Sequence, residues 1–209
     1  AMCGNGDLGI VFDNDEKDLV IHISKCDFWK FLNGTHGDGG IKAVGDLRIK
    51  NIDLESYNIK QYFDKGLLEC KFRNIEMELF VAPENLIYIQ FKAPDSEASP
   101  SVDIEIPDTC NSQKSEFADK DVKCYLRKFE GEEVERESAV ILCCRELETH
   151  SADGFKSARY CISAVTCFDD SQYISKGVEL VLQSDYERDK ARTQEKWKKF
   201  FSASKVTLE

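Results

Sequence analysis

Proline is scarce in this 209-residue sequence, four in all, and no stretch is dominated by one or two residue types. Nothing therefore reads as a linker, and one large domain is the economical reading of the length. No apolar run approaches the roughly 18 residues that a membrane-spanning helix needs, and no basic-then-apolar leader opens the chain, so no membrane partner is expected. Basic charge is short as well: 28 lysines and arginines stand against 39 acidic residues, a formal net charge of −11. Acid spread along the chain disfavours nucleic acid and anionic lipid and suits a neutral ligand. Paired Cys-x-x-Cys knuckles, zinc-type Cys/His spacing, a Gly-x-Ser-x-Gly elbow and an assembled Cys-His pair are all missing, so no metal, cofactor or catalytic nucleophile is expected.

Cysteine is plentiful by contrast. There are nine, an odd number, and Cys124, Cys143, Cys144, Cys161 and Cys167 fall inside apolar, strand-like runs. Thiols in such places behave as small hydrophobes, so a reduced protein is preferred, with disulfides the open alternative. Ala1-Met2 resembles a cloning remnant and Leu208-Glu209 the start of a vector-encoded tag, so both ends are expected to be recombinant in origin.

Short runs separated by turn residues make up most of the chain. Leu8 to Phe12 and Leu19 to Ile23 flank the turn chemistry of Asp13-Asn14-Asp15-Glu16 and predict a hairpin. Leu32 to Gly40 predicts a long irregular loop, and Ile41 to Ile49 a strand with a bulge or turn at Gly45. Leu54 to Phe63 and Leu67 to Phe72 predict a pair around Asp64-Lys65-Gly66, and Ile75 to Val81 and Leu86 to Phe91 another around Pro83-Glu84-Asn85. Val102 to Ile106, Val122 to Phe129, Ser157 to Phe168 and Val178 to Leu182 add further strands. Ser138 to Cys144 is almost continuously apolar and predicts a strand buried on both faces. Thr109 to Asp121 reads as a polar surface excursion.

A helix is predicted over Asp185 to Ser202, with Ser184 or Asp185 as its cap and an apolar stripe of Trp197, Phe200 and Phe201. The expected fold class is all-β: a large two-sheet antiparallel β-sandwich over residues 1–183, with one C-terminal helix at the head of residues 184–209. The stripe is read as docking on the sandwich.

The first hairpin also gathers the candidate site. Gly4-Asn5-Gly6-Asp7 precedes one strand, Lys25-Cys26-Asp27-Phe28-Trp29 follows the other, and pairing brings both clusters to one end. A tryptophan beside carboxylates and amides suits sugars, because pyranose C–H faces stack on indole while hydroxyls need fixed donors and acceptors. The candidate carbohydrate-binding residues are Asn5, Asp7, Lys25, Asp27 and Trp29, joined by His36 from the glycine-rich loop. The bland alternative is that the glycines only permit turns, that Phe28 and Trp29 are core, and that His36 is simply solvated. Since Phe28 and Trp29 alternate in an extended segment, one is expected in the core and the other outside.

Gly-Asn-Gly-Asp-Leu-Gly, a hairpin, then Ser24-Lys25-Cys26-Asp27-Phe28-Trp29 resembles the opening of the N-terminal β-sandwich, or supersandwich, of glycoside hydrolases and phosphorylases with an (α/α)6 catalytic barrel, similar to families 65 and 95. The Pro83-Glu84-Asn85 turn fits that pattern, and Trp197, Phe200, Phe201, Ser204, Val206 and Leu208 are similar to the linker before the barrel. The resemblance implies an oligosaccharide or polysaccharide ligand, with a glucan as one candidate, and a C-terminal catalytic domain in the parent chain. It implies that this stretch is not itself an enzyme, since the family's acid and base lie in the barrel. It also implies an alternative, a purely structural sandwich that only completes the barrel's active site.

Overall fold

The computed structural model describes residues 1–15, 17–34 and 37–203. Among the described residues, fourteen strands form two antiparallel sheets. The smaller sheet contains β1 (Met2–Gly4), β2 (Leu8–Asn14), β3 (Leu19–Leu32), β4 (Gly40–Lys50) and β9 (Ser101–Glu105), with β12 (Val134–Arg136) pairing the far end of β3. The larger runs in the order β10 (Gln113–Asp119), β11 (Val122–Phe129), β13 (Ser138–Ala152), β14 (Phe155–Thr166), β8 (Leu86–Pro94), β7 (Ile75–Ala82), β6 (Leu67–Phe72) and β5 (Tyr57–Tyr62). The chain is an all-β sandwich, as its alternating runs predict.

One core lies between the sheets. Leu8, Ile10, Ile21, Ile23, Leu47 and Ile49 of the smaller sheet meet Phe72, Leu79, Ile89, Phe91 and Leu142 of the larger. A second core lies on the outer face of the larger sheet, where Phe80, Tyr88, Ile141, Cys143 and Cys161 pack under two helices. Ser138 to Cys144 is buried throughout because β13 has a core on each side.

The two helices are α1 (Tyr173–Leu182) and α2 (Tyr186–Ala203). The first corrects the sequence reading, which took Val178 to Leu182 for a strand. Buried Gly177, Val178 and Val181 form its inner face, and Gly177 sits so close to β13 that a Cβ there would meet Ile141 at 2.8 Å and Cys143 Sγ at 3.0 Å. The second matches the predicted helix within a residue, and Asp185 caps it by accepting the Arg188 N–H at 2.9 Å. Trp197 closes over Gly66, the left-handed residue (φ 60°) after a single 3-10 turn at Phe63–Lys65. A second correction falls on Thr109 to Asp121: within it lies β10, an edge strand exposed at all seven positions.

β3 fixes the site. Leu19, Ile21, Ile23 and Lys25 point inward, then the phase changes and Phe28 and Lys30 take the inward positions. Between Ser24 and Trp29 five steps of β3 oppose only two of β4, Ala43 to Ile41. That bulge pushes Cys26 and Asp27 out of the ladder and returns Phe28 to the core and Trp29 to the surface.

Candidate functional site

Asn5 builds the turn that leads into β2. Its side-chain oxygen accepts the Asp7 and Leu8 N–H groups at 3.0 and 2.8 Å, and its amide donates to Ala82 O and Asn85 Oδ1, both at 2.8 Å. The N-terminal turn is thereby fastened to the β7–β8 turn across the sandwich. Asn85 returns the contact, donating to Asp7 Oδ2 at 2.6 Å.

Lys25 is enclosed, with its ammonium among three carboxylates: Asp7 at 2.6 Å and Asp27 and Asp169 each at 3.1 Å. Asp169 comes from the turn after β14, and Thr166 at the end of β14 donates its hydroxyl to Asp27 Oδ2 at 2.6 Å. Cys26 donates its thiol to Asp7 Oδ1 at 2.9 Å. Burial alone would raise the Asp7 pKa, but the bonds from Cys26, Lys25 and Asn85 outweigh it and hold that carboxyl below the usual range. Burial alone would lower the Lys25 pKa, but Asp7, Asp169 and Asp27 raise it above the ordinary lysine value. The bond to Asp7, with burial behind it, keeps the proton on Cys26. Asp7, Cys26 and Asp27 bring ligand-type atoms within 4.8 Å of one another, and the cation standing among them is Lys25.

Trp29 lies outside this network on the exposed face. It is 40% exposed, its indole N–H is tied to Cys26 O at 2.7 Å, and its ring stacks with Phe31 at a centroid distance of 6.4 Å. Phe31 meets Phe168 edge-on at 6.1 Å, and Phe168 adjoins Asp169 in sequence, so the aromatic step and the charged cluster share one end of the sandwich. Phe28, by contrast, is wholly buried and stacks on Phe129.

Of the six residues singled out in sequence, five come together here, in two different postures. Asn5 and Lys25 point inward and are fully engaged with protein groups. Asp7, Asp27 and Trp29 keep surface, the two carboxylates 36% and 26% exposed. His36 lies outside the described residues. Asn85, Thr166, Asp169, Phe31, Phe168 and Arg136 belong to the same end of the molecule and were not singled out as site residues. Asn85 stood in a turn already marked by its Pro-Glu-Asn sequence. The others carry no local signal, because only the strand topology brings them near Lys25 and Trp29.

Beside this end of the sandwich an apolar groove of about 520 Å³ runs between β1, β2 and the tail of α2, with Val11, Ile41, Phe63, Trp197 and Phe201 in its walls. Lys196 anchors that tail by donating to Asn5 O at 3.4 Å.

No family model matches the chain, and no curated protein matches it. Sixteen chains of solved structures do. One, described as "Putative kojibiose phosphorylase from human microbiome", is 10% identical and aligns over 96% of this chain with a TM-score of 0.46. The alignment takes in 35% of that chain, so the present sequence spans about a third of its length. A likeness at this level assigns neither site nor activity.

Proposed function

We propose that the chain is a non-catalytic, carbohydrate-binding accessory domain of a larger glycoside hydrolase or phosphorylase, and that it holds an oligosaccharide or polysaccharide on the Trp29 face. In this reading residues 1–183 are the binding sandwich and residues 184–209 lead toward a catalytic domain. The single observation that supports it best is the posture of Trp29: an indole with an open face, held by its own N–H and by Phe31, beside two part-exposed carboxylates. An indole fixed before the ligand arrives contributes stacking without paying to be ordered. Asp7 and Asp27 would accept hydroxyl protons with the oxygen surface left to them, and Asn5 and Lys25 would hold those carboxylates in place instead of touching sugar. The acids share one lysine and so are oriented as acceptors for hydroxyl protons.

A glycan array on the purified chain tests this. Expected is binding to a restricted set of glycans, lost in Trp29→Ala with the far-ultraviolet spectrum unchanged. Binding that survives Trp29→Ala would place the site elsewhere.

A second reading is favoured by the Lys25 network, which ties β2, β3, the β7–β8 turn and the end of β14 together. A purely structural sandwich that completes a partner domain's active site needs that rigidity and no sugar of its own. Absence of binding to every glycan on the array would favour it.

A further inference from the structure

Arg136 differs from every other arginine of the chain. There are eight. Arg48, Arg73, Arg145, Arg159, Arg188 and Arg192 each pair with a carboxylate, and buried Arg127 donates to Ala43 O, Thr109 O and the Thr109 and Ser112 hydroxyls. The Arg136 side chain makes no hydrogen bond or ion pair among the described residues, although Glu135 and Glu137 flank it in sequence. Two phenyl rings hold it instead, its guanidinium carbon lying 4.5 Å from the Phe168 centroid and 5.8 Å from that of Phe31.

The backbone accounts for this. Val134 pairs with Leu32 and Arg136 with Phe31, so Glu135 is the extra residue of a bulge in β12 and Arg136 stands directly opposite Phe31. Glu133, the other nearby acid, turns to Lys30 at 3.7 Å. A stacked guanidinium keeps its edge donors free, and that planar fork fits a carboxylate with two parallel hydrogen bonds. Trp29, Phe31, Arg136 and Phe168 thus form one stepped platform, Phe168 standing edge-on to Phe31, with the 40% exposed indole at one end and, among the described residues, an unmatched positive charge toward the other.

We propose that this platform selects acidic sugars: a pyranose stacks on Trp29 while the carboxylate of a uronic acid unit next to it binds the Arg136 fork. The proposal rests on the carbohydrate-binding reading and narrows its ligand, against the neutral sugar that net charge alone suggests. The overall −11 acts mainly at long range, and physiological salt screens charges more than about 8 Å apart. A bidentate contact works inside that distance.

The test is calorimetric titration of the intact chain with an oligogalacturonate, a neutral oligosaccharide of equal length and a sulfated neutral one. Expected is binding of the uronate roughly tenfold tighter than the neutral oligomer, the size of one charge-assisted contact, and weakening as salt is added. Arg136→Gln should remove the preference and leave the weak neutral binding, and Trp29→Ala should remove both. Equal affinity for uronate and neutral oligomers, or a preference that persists in Arg136→Gln, would overturn the proposal and leave the sugar-binding reading standing. Equal affinity for the sulfated and uronate oligomers would overturn the assignment to carboxylate. Failure of the uronate to bind would overturn this inference, and the sugar-binding reading falls with it only if every glycan on the array fails as well.

Discussion

Replacing Lys25 by methionine removes the one positive charge from a site that holds three negative ones. Methionine keeps much of the apolar stem, so the loss isolates the ammonium and its bonds to Asp7, Asp27 and Asp169. Breaking a buried ion pair by removing one partner costs about 3–5 kcal/mol, chiefly because the other charge stays behind uncompensated. Here the lysine is enclosed, but the carboxylates are 36%, 26% and 28% exposed, and water screens part of their repulsion. The low end, about 3 kcal/mol, is therefore expected. With a urea m-value of about 2 kcal/mol/M this moves the unfolding midpoint down by roughly 1.5 M. The deficit should also depend on pH in a definite direction. The Asp7 pKa is depressed in the native protein, so its contribution is present above the ordinary aspartate value and is lost as pH falls through the depressed one. Without Lys25 the carboxylates take up protons more readily, and the gap between variant and wild type should close as pH falls below about 4. Adding Asp7→Asn to Lys25→Met should recover stability at neutral pH. A loss under about 0.5 kcal/mol, the range of ordinary surface substitutions, or one that does not change with pH would refute this account of the cluster.

Phe28→Ala should destabilise by about 3–5 kcal/mol, whereas Trp29→Ala should change stability by less than about 1 kcal/mol; urea melts of the two variants decide whether the bulge sorts them as described. Gly66→Ala should cost about 1–3 kcal/mol, since φ there is 60° and the new Cβ would run into the Trp197 indole, and Trp197→Ala should relieve the clash but not the backbone strain. His22 bonds Asp46 at 2.8 Å, which raises its pKa against a smaller effect of burial, with Asp13 adding to the rise. That stabilisation is complete below the ordinary histidine value and fades as pH rises through the elevated one, so an NMR titration should show a raised midpoint that falls in Asp46→Asn.

Strands with one buried face announced themselves, because apolar side chains must recur every second residue to reach the core, as in Leu8, Ile10 and then Ile21, Ile23. β10 did not, since a strand exposed on both faces needs no pattern. α1 is hidden for a nearer reason: Val178-Glu179-Leu180-Val181-Leu182 is apolar enough for a strand, and only the helical spacing of Ile174, Val178 and Val181 argues against it. The candidate site divides similarly. Its near-sequence members are visible as Gly-Asn-Gly-Asp and Lys-Cys-Asp-Phe-Trp, but the settings of Asp7, Asp27 and Lys25 depend on Asn85, Thr166 and Asp169, which lie 78, 139 and 144 positions from them respectively. No local pattern encodes such partners, and the placing of Arg136 against Phe31 and Phe168 is legible only once β12 is seen paired to β3.

The chain has two tryptophans, so Trp197→Phe leaves Trp29 as the sole indole reporter. Fluorescence of that variant, titrated with a glycan that calorimetry shows to bind, tests the central claim most directly. A saturable change in Trp29 emission with the calorimetric midpoint is the predicted result. Saturable heat with Trp29 emission unchanged would contradict it.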